Sequence, residues 1–202
     1  TVCQGSIDRA KRRTALHKAS QLPFVFIGYH TPNIGNKDEF ALEVVSNILS
    51  AGKSSRLYQD IVYEKQLALY AGGDYGRIAA DPSLFYFYGG LKPGKTTKEL
   101  EDALYAEIER LKTEPVTDRE LQKSKNQVEA SFIFAQDSIF YQAMQIGQIE
   151  TIGIGYKYLD AYVDNIRRVT KDDIMRVAKT YFTEKNRTVG ILIPVKQNGK
   201  GQ

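Results

Sequence analysis

Residues 22–73 read LPFVFIGYHTPNIGNKDEFALEVVSNILSAGKSSRLYQDIVYEKQLALYAGG, and their order of elements decides the fold. Residues 23–30 form a strand whose unbroken apolar run, Phe24-Val25-Phe26-Ile27, predicts burial on both faces. Asn36, with Glu39 three residues later, is a capping-box-like helix start. The helix it opens aligns Phe40, Val44 and Ile48 with Ala41, Val45 and Leu49 on one stripe. Gly52 then stands where a helix needs a left-handed C′ residue. A shorter helical stretch over residues 54–65 turns Leu57, Ile61 and Val62 inward. A second strand over 67–75 carries the pair Gly72-Gly73.

Outward from this stretch the chain stays legible. Residues 14–19 read as a strand, and 84–89 as another, which pairs with 67–75 in an antiparallel hairpin turned at Asp81-Pro82. Three helix starts follow, each with a capping Thr and an acid at N3: Thr96 with Glu99, Thr117 with Glu120, and Thr170 with Asp173. Leu100, Leu104, Ile108 and Leu111 form the first buried stripe. Leu121, Val128, Phe132, Ala135 and Ile139 predict one long second helix running to Ile152, broken by Gly153 and Gly155 before a helix over 156–169. Ile174, Val177, Ala178 and Tyr181 line the last helix, and 188–194 is a final buried strand. Strands, helix, hairpin, helices and strand in that order make an α+β domain, with helices covering one face of a mixed sheet. It spans residues 14–195, between a polar linker over 1–13 and a tail over 196–202 of disordered composition.

A chain of 202 residues with 42% hydrophobic and 26% charged residues is an ordinary globular composition. The net charge of +4 is spread along helix surfaces, away from the aromatic strands, which argues against a nucleic-acid footprint. No run is long enough for a transmembrane helix, and no membrane partner is expected. The single cysteine, Cys3, excludes an internal disulfide. Starting at Thr1, the chain reads as a piece of a longer protein.

One motif points elsewhere. Residues 89–96, Gly-Gly-Leu-Lys-Pro-Gly-Lys-Thr, match G-x-x-x-x-G-K-[ST] between a strand and a helix, the setting of a phosphate loop. Against it, Phe85-Tyr86-Phe87-Tyr88 places a hydroxylated ring at every second position, which suits a sheet with one wet face rather than a strand buried on both. No later apolar strand ends in an Asp for Mg²⁺. Pro93-Gly94 as a turn and Thr96 with Glu99 as a cap account for the same residues. Other constellations are weaker. His17 and His30, the only histidines, have no partner at metal spacing and form no H-x-x-E-H zinc motif. Glu39, Glu43, Glu64, Asp102 and Glu107 read as helix-surface carboxylates.

Gly28-Tyr29-His30-Thr31-Pro32, Ala41-Leu42-Glu43-Val44, Ser54-Ser55-Arg56-Leu57-Tyr58 and Pro93-Gly94-x-Thr96-x-x-Glu99-Leu100, taken in order, resemble the C-terminal, non-catalytic domain of the pitrilysin/insulinase zinc metallopeptidases. The resemblance covers nearly all of residues 14–194 and implies a LuxS/processing-peptidase-like fold, that of the second of two similar domains in each half of the enzyme. In that family two such halves close around a peptide chamber, and the zinc lies in the first domain of a half. The resemblance therefore implies no cofactor in this chain and zinc in another domain of the parent. Its partners would be an N-terminal zinc domain, a second family subunit and unfolded peptides.

Some members supply an Arg and, seven residues on, a Tyr to the opposite active site. Those positions are Tyr63 and Tyr70 here, so the cationic donor is missing. In the insulin-degrading branch a strand ending in Gly-Gly anchors the substrate, which maps to Tyr70, Ala71, Gly72 and Gly73, with Lys53 in the adjacent loop. Two readings of the glycine pair stay open. It exposes backbone for peptide pairing, or, the reading favoured, it relieves crowding in a twisted strand. The expectation is a chamber wall and inter-subunit surface of a peptide-hydrolysing assembly, inactive alone. The alternatives are a nucleotide-binding module on residues 89–96 and a catalytically dead structural core subunit. For compartment, the reading favours the periplasm over the cytoplasm.

Overall fold

A computed structural model describes residues 12–195. The linker and tail expected at the two ends lie outside the described residues, apart from Arg12 and Arg13, which open the first strand. The strands are β1 (Arg12–Ala19), β2 (Phe24–Thr31), β3 (Ala68–Tyr75), β4 (Ser83–Leu91) and β5 (Arg187–Val195). The helices are α1 (Glu39–Ser50), α2 (Thr97–Thr113), α3 (Asp118–Ala135), α4 (Ile139–Thr151), α5 (Tyr162–Arg168) and α6 (Lys171–Tyr181).

The sheet runs β1-β5-β2-β4-β3, with β1 parallel to β5 and every other pair antiparallel. The expected mixed sheet and the β3–β4 hairpin are both present. Helices α1, α2 and α6 bury Leu42, Val45, Leu49, Leu100, Leu104, Ile174 and Val177 against Val25, Ile27, Phe85, Phe87 and Val189 of the sheet. Phe182, just past α6, closes this layer against Tyr29, Phe85 and Phe87.

Local chemistry explains the helix starts. Thr96, Thr117 and Thr170 each accept from the N3 backbone N–H, while the N3 acid accepts from the cap residue's own N–H, so all three capping boxes close. Gly52 follows α1 at φ +71, the left-handed C′ position its lack of a side chain permits.

Several expectations are corrected. The run Phe24-Val25-Phe26-Ile27 is not buried on both faces. Val25 and Ile27 are fully buried, whereas Phe24 and Phe26 are half-buried, because helices cover only one side of the sheet. Helix α1 does not begin at Asn36. The Asn36 side chain instead accepts from Asp38 N–H and the Glu39 carboxylate reaches back to Gly35 N–H, so the helix starts at Glu39. The stretch 54–65 is π-helical from Tyr58 to Glu64, though Leu57 and Ile61 do face inward. The long second helix is two helices. Ser138 caps α4 by accepting from Tyr141 N–H, and Ile139, expected in the buried stripe, is 86% exposed. The expected helix over 156–169 is a 3-10 turn, Tyr156–Ala161, leading into α5.

Glu120 does two jobs. It closes the Thr117 cap and takes a forked hydrogen bond from Arg56 (Nε to Oε1 2.8 Å, Nη2 to Oε2 3.2 Å). Arg56 foremost holds its carboxyl down at about 2. A carboxyl depressed in the folded state stabilises the protein above its unfolded value and loses that contribution as the pH falls toward the folded one. Wild type should therefore exceed Glu120→Gln in urea midpoint near neutrality, with the gap closing between about pH 4.5 and about pH 2. A gap that does not depend on pH would show that the ion pair contributes nothing.

Candidate functional site

The uncovered face of the sheet is aromatic. Alternation along β2, β3 and β4 brings Phe24, Phe26, Tyr70, Tyr86 and Tyr88 out of the side opposite the helices, while Phe85 and Phe87 point into the core. The wet-face expectation for Phe85-Tyr86-Phe87-Tyr88 is met. Tyr86 stacks on Phe26 with ring centres 5.2 Å apart, and Phe24 on Tyr88 at 6.5 Å. The Tyr86 hydroxyl donates to Asp74 Oδ2 at 3.0 Å; burial and then that carboxylate raise the phenol above its ordinary value, so it stays a donor.

Glycines shape this surface. A side chain on Gly72 would place its Cβ 2.7 Å from the tip of the Tyr88 ring, and one on Gly90 would fall 2.6 Å from Cζ of Tyr70. Each ring lies flat across a neighbouring strand because nothing rises there. The first glycines of the phosphate-loop-like motif thus have a packing role. The helix N-terminus that a phosphate would need is already occupied, since Glu99 accepts from Thr96 N–H and Thr96 Oγ1.

The residues singled out from sequence do not form one cluster. Tyr70, 51% exposed, belongs to the aromatic face, whereas Tyr63, 67% exposed, projects from the π-helical turn. No ring contact or hydrogen bond joins those two among the described residues. Lys53 is exposed in the turn after α1, its carbonyl accepting from Gln59 Nε2. Strand β3 is an outer strand of the sheet, but its edge is partly closed. Gly73 N–H donates to Ser50 Oγ, and its carbonyl accepts from Ser46 Oγ (3.1 Å) and Ser50 Oγ (2.8 Å). N–H and C=O groups of alternate residues face the same side of an antiparallel strand, so Ala71 also presents its pair outward.

Three carboxylates read as helix surface are not. Glu39 is 1% and Glu107 4% exposed, and Glu43 is tied into a cluster with Arg77. Arg77 Nε lies 3.2 Å from Glu43 Oε2, and its Nη1 donates to Tyr158 Oη at 3.1 Å. Tyr158 in turn donates to Glu39 Oε1 (2.7 Å) and Tyr162 to Glu43 Oε1 (2.5 Å). Burial pushes the Glu39 carboxyl up, against the hydrogen bonds that Tyr158 and Gly35 donate to it. Sequence gave little sign of this, because the donors lie 119 residues away. Among the described residues no three His, Cys, Asp or Glu side chains gather as a metal site would require.

The domain is a one-sided α+β layer with an aromatic outer face. The chain belongs to the family described as the Peptidase M16 inactive domain, whose model matches residues 4–128. It is 30% identical over 191 residues to the zinc protease PqqE of Helicobacter pylori, an alignment covering 91% of this chain and 41% of that protein. A crystal structure of a protease from H. pylori superposes with a TM-score of 0.86 at 29% identity, over 93% of this chain and 45% of the other. The inactive peptidase domain of a Bordetella parapertussis protein matches with a TM-score of 0.80 at 25% identity, over 92% and 97%. The chain spans about two-fifths of the length of the curated relatives it matches.

Proposed function

We propose that this domain forms a wall of the peptide chamber of a zinc metallopeptidase. The zinc would be held by a separate catalytic domain of the parent, and a second family subunit would close the chamber. The observation that carries the reading is the aromatic face. Extended peptides have apolar side chains to lay against rings and backbone carbonyls to accept from tyrosine hydroxyls, and this face offers both without selecting one sequence. Peptide main chain would pair at Ala71, ahead of the closed edge at Gly73. Family membership supports the link to a peptidase. Hydrolysis itself would come from water activated on the zinc of the other domain.

The test uses the zinc-loaded parent with an unstructured peptide substrate. Tyr70→Ala and Tyr86→Ala should each raise KM about three- to tenfold, the loss of one aromatic contact, with kcat little changed. An unchanged KM in both variants overturns the chamber-wall reading. A parent that cleaves no peptide overturns the peptidase reading itself.

A further inference from the structure

The outer face of the sheet carries one acid. Side chains alternate along each strand, and among the described residues Asp74 is the only carboxylate at an outward position of β2, β3, β4 or β5. It stands opposite Tyr86 and diagonal to Tyr88, whose ring lies across Gly72. Aspartate is depleted from strands, and this one is exposed among rings. Its oxygens are half used. Oδ1 accepts from Tyr75 N–H at 2.8 Å and Oδ2 from the Tyr86 hydroxyl at 3.0 Å. An ionised carboxylate has about four acceptor sites, so each oxygen has room for another donor.

No cation among the described residues pairs with Asp74. Arg77, three residues on, is held by Glu43 and Tyr158. The outward cations of the sheet, Arg12 and Lys18, lie on β1, four strands away. At about 4.8 Å per strand that is roughly 19 Å, beyond the Debye length of about 8 Å. Fixing the Tyr86 ring does not require the charge either, because an amide oxygen would accept the same hydrogen bond. A cation fits all of this. The free acceptor sites suit an ammonium or guanidinium, and the Tyr86 and Tyr88 rings beside them suit the cation and its apolar stem. We propose that Asp74 sets specificity on this face, selecting peptides that carry a Lys or Arg side chain. The inference rests on the chamber-wall reading and adds a substrate class to it, since the rings take many sequences and the carboxylate prefers a charge among them.

The experiment is steady-state kinetics of the zinc-loaded parent on quenched-fluorescence decapeptides, otherwise uncharged, with a single Lys or a single norleucine moved along the chain. At one position or more, Lys should lower KM about threefold to tenfold against norleucine, the combined effect of one exposed ion pair and one cation–π contact. The advantage should shrink as salt rises. Asp74→Asn, which keeps an acceptor for Tyr86, should abolish the difference between the two peptides, and Asp74→Lys should favour glutamate over lysine at the same position. A wild type with no advantage for Lys at any position overturns the proposal, as does an advantage that survives Asp74→Asn. Tyr70→Ala and Tyr86→Ala raising KM while the Lys advantage survives Asp74→Asn would overturn this subsite alone. An unchanged KM in both tyrosine variants overturns the wall and the subsite with it, and so does a parent that cleaves none of the peptides.

Discussion

Replacing Arg77 with Met should lower the unfolding free energy by about 3 kcal/mol, the low end of the cost of breaking a buried ion pair from one side. The Arg77 side chain is 14% exposed and that of Glu43 24%, so water screens the pair only partly. Arg77 also donates to Tyr158 and lies 5.1 Å from the centre of the Tyr162 ring. Met keeps much of the stem but leaves two carboxylates, Glu39 and Glu43, facing two phenols with no cation. The deficit should depend on pH. Glu39 already titrates above its ordinary value because burial opposes its charge, and losing Arg77 pushes it higher. A carboxyl raised in the folded state favours folding while protonated and loses that contribution as the pH rises through its folded value. The gap between wild type and Arg77→Met in urea midpoint should therefore narrow on acidification. Arg77→Lys, with the charge but not the fork, should fall between them. A loss below about 0.5 kcal/mol at neutral pH would place the pair in the class of surface ion pairs.

How much of this was legible from the sequence depends on the range of each interaction. The three capping boxes and the α2 stripe were read correctly because their partners lie within one or two turns. Alternation in Phe85-Tyr86-Phe87-Tyr88 announced a sheet with one wet face, since the period of two is local. The α3–α4 break was not read, because Ile139 sits in phase with the preceding stripe although Asp137-Ser138 can cap a new helix. The burial of Glu39 and the pairing of Glu43 were invisible, as they depend on tyrosines near the far end of the fold. The candidate site divides the same way. Tyr70 and Gly72 were implied by the family resemblance, but the closed edge at Gly73 needs two α1 serines that nothing in β3 foretells.

The second large effect is expected at Phe182. It is 1% exposed, and its ring centre lies 4.9 Å from that of Phe85, 5.2 Å from Tyr29 and 5.4 Å from Phe87. Phe182→Ala removes the member shared by all three contacts and should cost about 3–5 kcal/mol. For a chain of this size that is a fall of roughly 10 °C in Tm. Phe182→Leu keeps much of the volume and should lose less than half as much. Urea unfolding with unchanged m-values would assign the loss to the native core. A loss under about 1 kcal/mol for Phe182→Ala would mean that the neighbouring rings collapse into the space and the cluster is not rigid.

The place of β5 bears on how the chain is made. It lies between β1 and β2, and among the described residues it is the only strand that β1 pairs with. While residues 187–195 are still inside the ribosome, the β2–β4–β3 part of the sheet can form, but β1 has no strand to join and β2 shows a bare edge. Strand β1 must therefore wait for β5, and the pairing spans 176 residues from Arg12 to Thr188. Such long-range closure is slow to form. During synthesis the nascent domain thus exposes an apolar strand edge open to chaperones and to mispairing with a neighbouring chain.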